Sequence, residues 1–271
     1  MIGVSETPYD LRFHALGIPV RVHPLFWLTG ALLAGRSEDL SEIVLWIACV
    51  FVSILVHEYG HGLTAKQFGG SPSIVLWMGG GLCYSHKDYQ TPLQRLAVVL
   101  WGPGAGFVLC ALVMAVYSAL FGLTPREHLS IVRELLGLPA DPGAVFSTVM
   151  KLGINKKVAG TTGTNFTLYW YMVQINIIWG LVNLLPVWPL DGGRVSEIVL
   201  STINPREGAR WGHILSLLVA GVLAFVMYAV TQRLFLAIFF GYFGVVNYQI
   251  LQSMHRAHAY GLDNDEDWWR R

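Results

Sequence analysis

The chain has 271 residues, of which 54% are hydrophobic and 13% are charged, and its mean hydropathy is +0.51. An ordinary soluble domain is about a quarter charged, so this composition indicates a membrane protein. The formal net charge is +1 and the basic residues form no long tract, so nothing in the sequence favours a nucleic-acid partner. The three cysteines, Cys49, Cys83 and Cys110, are odd in number and far apart, which does not fit a disulfide framework.

Six apolar segments are candidate membrane spans, because a spanning helix needs about 20 mainly apolar residues. They cover residues 22–34, 43–66, 94–121, 166–185, 209–230 and 232–253. The first is short and opens with His23 and Pro24, so it is either a full span or a re-entrant or interfacial segment that acts as a gate. Within the third, Gly102 and Gly106 have the spacing that lets two membrane helices approach closely.

These spans predict an all-α polytopic membrane protein with about six transmembrane helices. We expect one membrane-embedded domain over residues 1–271, with its core at 43–200 and a short C-terminal tail at 254–271. If all six segments cross, Lys and Arg are more numerous on the side of the N-terminus. Because cytoplasmic loops are enriched in these residues, we expect the N-terminus and the tail to be cytoplasmic.

A histidine motif, His57-Glu58-Tyr59-Gly60-His61, lies near the end of the second predicted span and matches the H-E-x-x-H pattern. Residues four apart share a helix face, so both imidazoles can bind one zinc ion, and the glutamate can take a proton from water on that metal. A rise of about 1.5 Å per residue from Ile43 places His57 about 21 Å into a hydrocarbon core about 30 Å thick. The alternative is a histidine pair hydrogen-bonded between helices, with a neutral or salt-bridged glutamate, which leaves the spacing unexplained.

A catalytic zinc site uses three protein ligands, so one more must come from elsewhere in the chain. Asp191 follows the fourth predicted span, and the parity of the spans places it at the same membrane face as His57 and His61. Two prolines and two glycines around it let the main chain leave the helix and turn the carboxylate back into the bundle. The alternatives are that Asp191 belongs to an ordinary surface turn and that Glu197 or Glu207 is the ligand.

The histidine motif on a membrane helix, followed by Asn183-Leu-Leu-Pro-Val-Trp-Pro-Leu-Asp191-Gly-Gly-Arg, resembles the site-2 protease family of intramembrane zinc metalloproteases. The resemblance covers most of residues 15–200, and Gly17-Ile-Pro-Val-Arg-Val-His-Pro24 is similar to the six-helix subgroup that includes the protease of the sporulation sigma-factor precursor. It implies one zinc ion held by His57, His61 and Asp191, with Glu58 as the general base.

The same resemblance implies a function and a location. The protein would hydrolyse a peptide bond in or near a transmembrane segment of a membrane-protein substrate, as in regulated intramembrane proteolysis. Its partners would be that substrate and the lipid bilayer, and no oligomeric state follows from the sequence. We expect an integral protein of a bacterial cytoplasmic membrane whose active site opens on the cytoplasmic side.

Two further features follow from the resemblance. Asn183 matches a family asparagine that helps hold the substrate or the developing oxyanion, although a helix–helix hydrogen bond is an equal alternative. Residues 74–84 resemble a re-entrant β-hairpin beside the active site. Its Gly79, Gly80 and Gly81 would let an unwound substrate strand come close, unless the stretch is simply a surface turn.

One motif departs from the family. The pattern A-G-P-x-x-N reads Trp101-Gly-Pro-Gly-Ala-Gly106 in this chain, with Trp in place of Ala and Gly in place of Asn. The contact made by that asparagine is therefore absent or supplied by another residue.

Other functions explain part of the sequence. A non-proteolytic zinc-binding membrane protein or transporter would need further acidic or histidine residues along the bundle. Apart from His23 at the start of the short first segment, His213 is the remaining histidine inside a predicted span. A membrane prenyl-protein endopeptidase also uses H-E-x-x-H, but the segment around Asp191 argues against it.

Overall fold

The computed structural model describes residues 5–34, 39–85, 91–153 and 164–259. The described helices are α1 (Pro24–Leu33), α2 (Leu40–Gln67), α3 (Pro92–Phe121), α4 (Pro125–Leu135), α5 (Pro142–Leu152), α6 (Thr164–Asn183), α7 (Asp191–Ile203), α8 (Gly208–Ala229) and α9 (Leu234–Ala259). The strands are β1 (Leu11–Ala15), β2 (Ile18–Val22), β3 (Pro72–Trp77) and β4 (Gly80–Ser85). The predicted mainly helical fold is therefore confirmed.

Two compact units divide the described chain. The first unit contains the described residues of Ser5–Lys87 and Trp101–Leu181, and the second unit contains those of Asp88–Leu100 and Val182–Arg271. The expected single domain stays a prediction. Helix α9 continues to Ala259, so the predicted tail begins as helix, and residues 260–271 lie outside the described residues.

Four helices in the described part of the chain are long and apolar enough to cross a membrane, namely α2, α3, α8 and α9. They coincide with four of the six predicted spans. Helix α1 has ten residues, which reach about 15 Å, half of what a crossing needs. Helix α6 has 20 residues but interrupts its apolar sequence with Gln174, Asn176 and Asn183. Six transmembrane helices therefore stay a prediction.

The sheet of the first unit packs against α2, the helix that carries the histidine motif. Its strand order is β1-β2-β3-β4, with β2 and β3 parallel and the outer pairs antiparallel. Alternate residues of β2 are buried, as period-two patterning requires. They enter one apolar core with residues of α2 and β3, namely Ile18, Val20, Val22, Cys49, Val50, Ile54, Ile74 and Leu76.

Two hairpins form this sheet. The predicted hairpin over residues 74–84 is confirmed as β3 and β4, whereas the hairpin of β1 and β2 was not predicted. The turn between β1 and β2 is tied to α2, because Lys66 Nζ donates to the Leu16 carbonyl at 3.0 Å and the Tyr59 hydroxyl donates to the Ala15 carbonyl at 3.3 Å. These bonds fix the sheet along the C-terminal turns of α2.

The connection between α3 and α6 contains a polar network that hydropathy did not reveal. Glu127 of α4 accepts hydrogen bonds from the Thr124 backbone at 2.6 Å, from the Ser147 hydroxyl at 2.5 Å and from Lys151 Nζ at 2.9 Å. Burial alone would raise the pKa of the Glu127 carboxyl, but Lys151, Ser147 and Thr124 together lower it to about 2. The ionised carboxylate therefore joins α4 to α5.

Replacing Glu127 with Gln should lower the thermal unfolding temperature at pH 7, since hydrogen bonds to a charged group contribute about 1.5–3 kcal/mol each. Because the folded pKa of Glu127 is depressed, this stabilisation is complete above the unfolded value near 4.5 and is lost as the pH falls toward 2. Thermal unfolding of the purified protein at pH 7 and pH 3 measures the difference. Glu134→Gln, at an exposed position of α4, is the control, and an equal effect of both variants would contradict the network's role.

Candidate active site

The three residues of the histidine motif lie close together inside the protein. His57, Glu58 and His61 are 3%, 4% and 7% exposed. The Nε2 atoms of His57 and His61 lie 3.2 Å apart, because residues four apart stack on one face of α2. One ligand atom from each of the three side chains lies within 4.8 Å of the other two. The structure therefore brings these predicted site residues together.

The separation of the two imidazole nitrogens fits one zinc ion. Zinc–nitrogen bonds of about 2.0–2.1 Å in a tetrahedral arrangement place two nitrogens about 3.3 Å apart. The observed 3.2 Å agrees with this value, and it also suits a hydrogen bond between a protonated and an unprotonated ring nitrogen. Imidazole is a preferred zinc ligand, so the donor set and its spacing fit the metal that the motif predicts.

The main chain of α3 lies directly against this pair. A Cβ atom at Gly102 would overlap the imidazole of His61, and one at Gly60 would overlap the backbone carbonyl of Trp101. The close approach predicted at Gly102 is therefore confirmed, whereas Gly106 faces α6, where an added Cβ atom would make an ordinary contact of 3.5 Å with Asn176. Trp101, at the position where the family pattern has alanine, places its backbone carbonyl against α2.

Strand β4 approaches the glutamate in the same way. A Cβ atom at Gly81 would overlap the Glu58 carboxylate, so a side chain at position 81 would displace it. Gly80 has a φ of +119°, and a Cβ atom there would come within 2.9 Å of the Trp179 ring. A Cβ atom at Gly79 would make only an ordinary contact of 3.4 Å with Trp77. The substrate-binding role predicted for these glycines stays a prediction.

Asn176 of α6 ties that helix to α2 one turn before His57. Its Nδ2 donates to Ser53 Oγ at 2.9 Å and to the Met172 carbonyl at 2.8 Å, and the side chain is buried. A Cβ atom at Gly106 would lie 3.5 Å from Asn176 Oδ1. An amide from α6 thus occupies the space beside Gly106, the position where the family pattern has asparagine.

The remaining predicted site residues belong to the second unit. Asn183 is the last residue of α6 and Asp191 is the first residue of α7, and both are buried, at 8% and 5% exposure. A carboxylate at the start of a helix interacts favourably with the unpaired N–H groups there. The predicted roles of Asp191 as the third zinc ligand and of Asn183 as an oxyanion donor stay predictions.

The greater exposure of the two alternative acids, Glu197 and Glu207, favours Asp191 as the third ligand. Glu207 precedes α8, its side chain is 46% exposed, and it pairs with Arg210 at 3.4 Å. Glu197 lies inside α7 with intermediate exposure, where its main chain packs against Gly212 of α8. Asp191 is the most deeply buried of the three carboxylates, which fits a metal ligand better than a surface turn.

Sequence reasoning missed some of the residues that shape these segments. Asn176 could have been found as a polar residue within an apolar segment, because such residues are often bonded inside the protein. The structure shows that its side chain is buried. Ser216 and Asn247, which bond the main chain just before Asp191, sit in α8 and α9 and gave a weaker signal. A single serine or asparagine in a membrane helix is too common to indicate a distant partner.

Comparison with known proteins identifies relatives. The family model described as Peptidase family M50 matches residues 45–227. Zinc metalloprotease MJ0392 from Methanocaldococcus jannaschii is 25% identical over 198 residues, covering 71% of this chain and 46% of that protein. Stage IV sporulation protein FB from Bacillus subtilis is 24% identical over 196 residues, covering 71% of this chain and 51% of that protein. The chain thus spans about half the length of these curated relatives.

A solved structure has a similar fold. It is the site-2 protease from Methanocaldococcus jannaschii, with a TM-score of 0.54 and 21% sequence identity. The similarity covers 89% of this chain and 94% of that chain. The chain therefore has a fold similar to that of a site-2 protease, while the number of membrane crossings stays a prediction.

Replacing Gly102 with Ala should weaken zinc binding by at least about 10-fold, the order of effect seen when groups around a metal ligand are disturbed. The reason is that the added methyl group overlaps the His61 ring and forces it or α3 to move. Competition with a chromophoric chelator on the purified protein measures the affinity. Gly221→Ala in α8 is the matched control, since a Cβ there meets nothing within 4 Å. Unchanged zinc affinity in Gly102→Ala would contradict the proposed contact.

Proposed function

Because this chain belongs to peptidase family M50, we propose that it is a zinc metalloendopeptidase that cleaves another membrane protein in or near a transmembrane segment. Family membership and four long apolar helices make it an integral membrane protein. The observation that carries the proposal is the buried cluster of two imidazoles and one carboxylate with ligand atoms within 4.8 Å of one another. An apolar helix holds such groups for a function, because they are costly there.

Three residues hold the metal in this proposal. His57 and His61 supply neutral imidazole nitrogens and Asp191 supplies a carboxylate oxygen, which is a ligand set typical of catalytic zinc. A bound zinc ion supplies a Lewis acid that polarises the scissile carbonyl and acidifies water. The buried position of Asp191 supports this assignment, since a buried carboxylate needs a cation or several hydrogen bonds.

Glu58 moves the proton. It accepts a proton from the attacking water as the oxygen adds to the peptide carbon, and it delivers that proton to the leaving amine as the carbon–nitrogen bond breaks. The close approach of Gly81 limits where the carboxylate can lie, so its position is set before substrate binds. In the same step the amide of Asn183 donates a hydrogen bond to the developing oxyanion.

The substrate enters as an extended strand beside β4. A helical substrate hides its carbonyl groups in its own hydrogen bonds, so it must unwind before attack. In the described chain β4 is the last strand of the sheet, and it passes over Glu58 at Gly81. Strand addition at this edge would satisfy the unwound backbone and place it next to the general base.

We also propose that the site opens toward the cytoplasm and that cleavage releases a cytoplasmic product, as in regulated intramembrane proteolysis. The excess of Lys and Arg on the side of the N-terminus supports this orientation. A water-accessible cavity on that side is required because hydrolysis consumes water at a site within an apolar helix.

Glu58→Gln should keep zinc but lower cleavage by at least about 100-fold, since a general base contributes about 100- to 10,000-fold. In cells carrying the variant, an uncleaved transmembrane precursor should accumulate in the membrane proteome. Normal turnover with bound zinc would exclude this mechanism.

Two controls accompany that measurement. His57→Ala should lose both zinc and cleavage, which separates metal loss from base loss. A membrane-impermeant chelator should strip zinc from the intact protein in inside-out vesicles and leave it bound in right-side-out vesicles. The reverse pattern would contradict the cytoplasmic opening.

A photo-crosslinking residue at Tyr84 of β4, introduced into Glu58→Gln, should capture the accumulating precursor. The physical reason is that a strand paired with β4 lies about 5 Å from it, within reach of the probe. The same probe at Leu11, on β1 at the opposite edge of the sheet, is the matched control. Mass spectrometry of the crosslinked product measures both, and equal capture from the two edges would contradict strand addition at β4.

A further inference from the structure

Both polar main-chain groups of Trp188 are bonded to side chains from distant helices. The Trp188 N–H donates to Ser216 Oγ of α8 at 3.0 Å, and the Trp188 carbonyl accepts from Asn247 Nδ2 of α9 at 2.8 Å. Trp188 lies in the segment between α6 and α7, three residues before Asp191. A loop usually exposes its main-chain polar groups to water. Two side chains that bond the main chain of one loop residue therefore indicate that the position of this residue is fixed.

The side chains that bond Trp188 are themselves fixed. Asn247 Nδ2 also donates to the Phe243 carbonyl at 2.8 Å. The NH₂ group of this amide therefore donates to two carbonyls, those of Trp188 and Phe243. The opposite end, Oδ1, lies 2.8 Å from His213 Nδ1, which must therefore carry a hydrogen. Ser216 donates its own hydrogen to the Gly212 carbonyl at 2.9 Å, which leaves a lone pair for the Trp188 N–H. We call His213, Ser216 and Asn247 the Trp188 clamp.

Burial makes these bonds expensive to break. Ser216 and Asn247 are 0% exposed and His213 is 2% exposed. A buried polar group that loses its partner incurs its full desolvation cost, because no bulk water replaces the bond in such a place. The clamp therefore holds the Trp188 main chain more firmly than exposed turn residues would.

Main-chain packing connects Trp188 to Asp191. A Cβ atom at Gly193 would overlap the Trp188 nitrogen, and one at Gly192 would overlap the Leu184 carbonyl. The loop thus lies against the first turn of α7, whose first residue is Asp191. A shift of Trp188 cannot be absorbed by compressible side chains and must move the start of α7.

We propose that Asn247 and Ser216, with His213 fixing the Asn247 amide, are positioning residues that place the Asp191 carboxylate for zinc binding. This inference rests on the proposed function, in which Asp191 is the third zinc ligand. It also assigns a role to His213, a histidine inside a predicted span that the proposed zinc site does not use.

Asn247→Asp tests the clamp at nearly constant size. It replaces the Nδ2 donor with an oxygen that faces two carbonyl oxygens, so the Trp188 carbonyl loses its partner. Zinc affinity of the purified full chain, measured by chelator competition, should fall about 10- to 100-fold, as expected when groups that orient a metal ligand are changed. An unchanged affinity would overturn the proposal.

Ser216→Ala is the milder variant, and it decides the outcome if Asn247→Asp does not fold. Loss of one hydrogen bond should lower zinc affinity about 5-fold. Thr148→Ala in α5 is the matched control, because Thr148 is also buried and also donates to the carbonyl four residues earlier. If Thr148→Ala weakened zinc binding as much as Ser216→Ala, the effect would be general damage and the proposal would be wrong.

A double-mutant cycle with Asp191→Ala separates the clamp from the proposed function. If the clamp acts through Asp191, Asn247→Asp or Ser216→Ala should cause no further loss in the Asp191→Ala background. Losses that add in full would overturn the clamp. If Asp191→Ala kept the zinc affinity of the parent protein, the assignment of Asp191 as a ligand would fail. If Asp191→Ala lost zinc affinity but both clamp variants kept it, only the role of the clamp would be overturned.

Discussion

The site depends on how closely other main chains approach α2. Glycines at positions 60, 81 and 102 stand at the contacts with α3 and β4, where any side chain would displace an imidazole, a carboxylate or the facing backbone. Three ionisable side chains in an apolar helix are costly unless they are bonded or bind a cation. Tight packing restricts their movement and excludes lipid, so the same contacts that close the core also set the geometry of the chemistry.

Local sequence spacing predicted the part of the site that one helix builds. The distance between His57 and His61 follows from the helical repeat, and the hairpin glycines mark a turn within a few residues of one another. The contacts of Asn176 with Ser53 and of Asn247 with Trp188 join residues 123 and 59 positions apart. A single sequence holds no periodicity that connects such positions, and the polar residues involved look alike until the fold brings them together.

Hydropathy located the apolar helices and overlooked the short polar ones. Four predicted spans correspond to α2, α3, α8 and α9 to within a few residues at most ends, and the other two correspond to the shorter α1 and the more polar α6. Helices α4, α5 and α7 are shorter and carry polar faces, so an apolar window does not detect them. Helix α6 has a lower apolar content partly because Asn176 and Asn183 are buried, and Asn176 bonds α2. Polarity within α6 therefore reflects internal contacts and gives little information about membrane position.

The proposed zinc ligands are held in two different ways. His57 and His61 share a helix, and its repeat places both on one face, where their Nε2 atoms lie 3.2 Å apart. Asp191 follows a loop, which has no repeat to fix a ligand within the roughly 0.5 Å that a working site requires. Additional buried bonds must supply that precision, and the bonds from Ser216 and Asn247 to the Trp188 main chain are of this kind. This gives a physical reason for burying polar side chains in two helices that hydropathy describes only as membrane anchors.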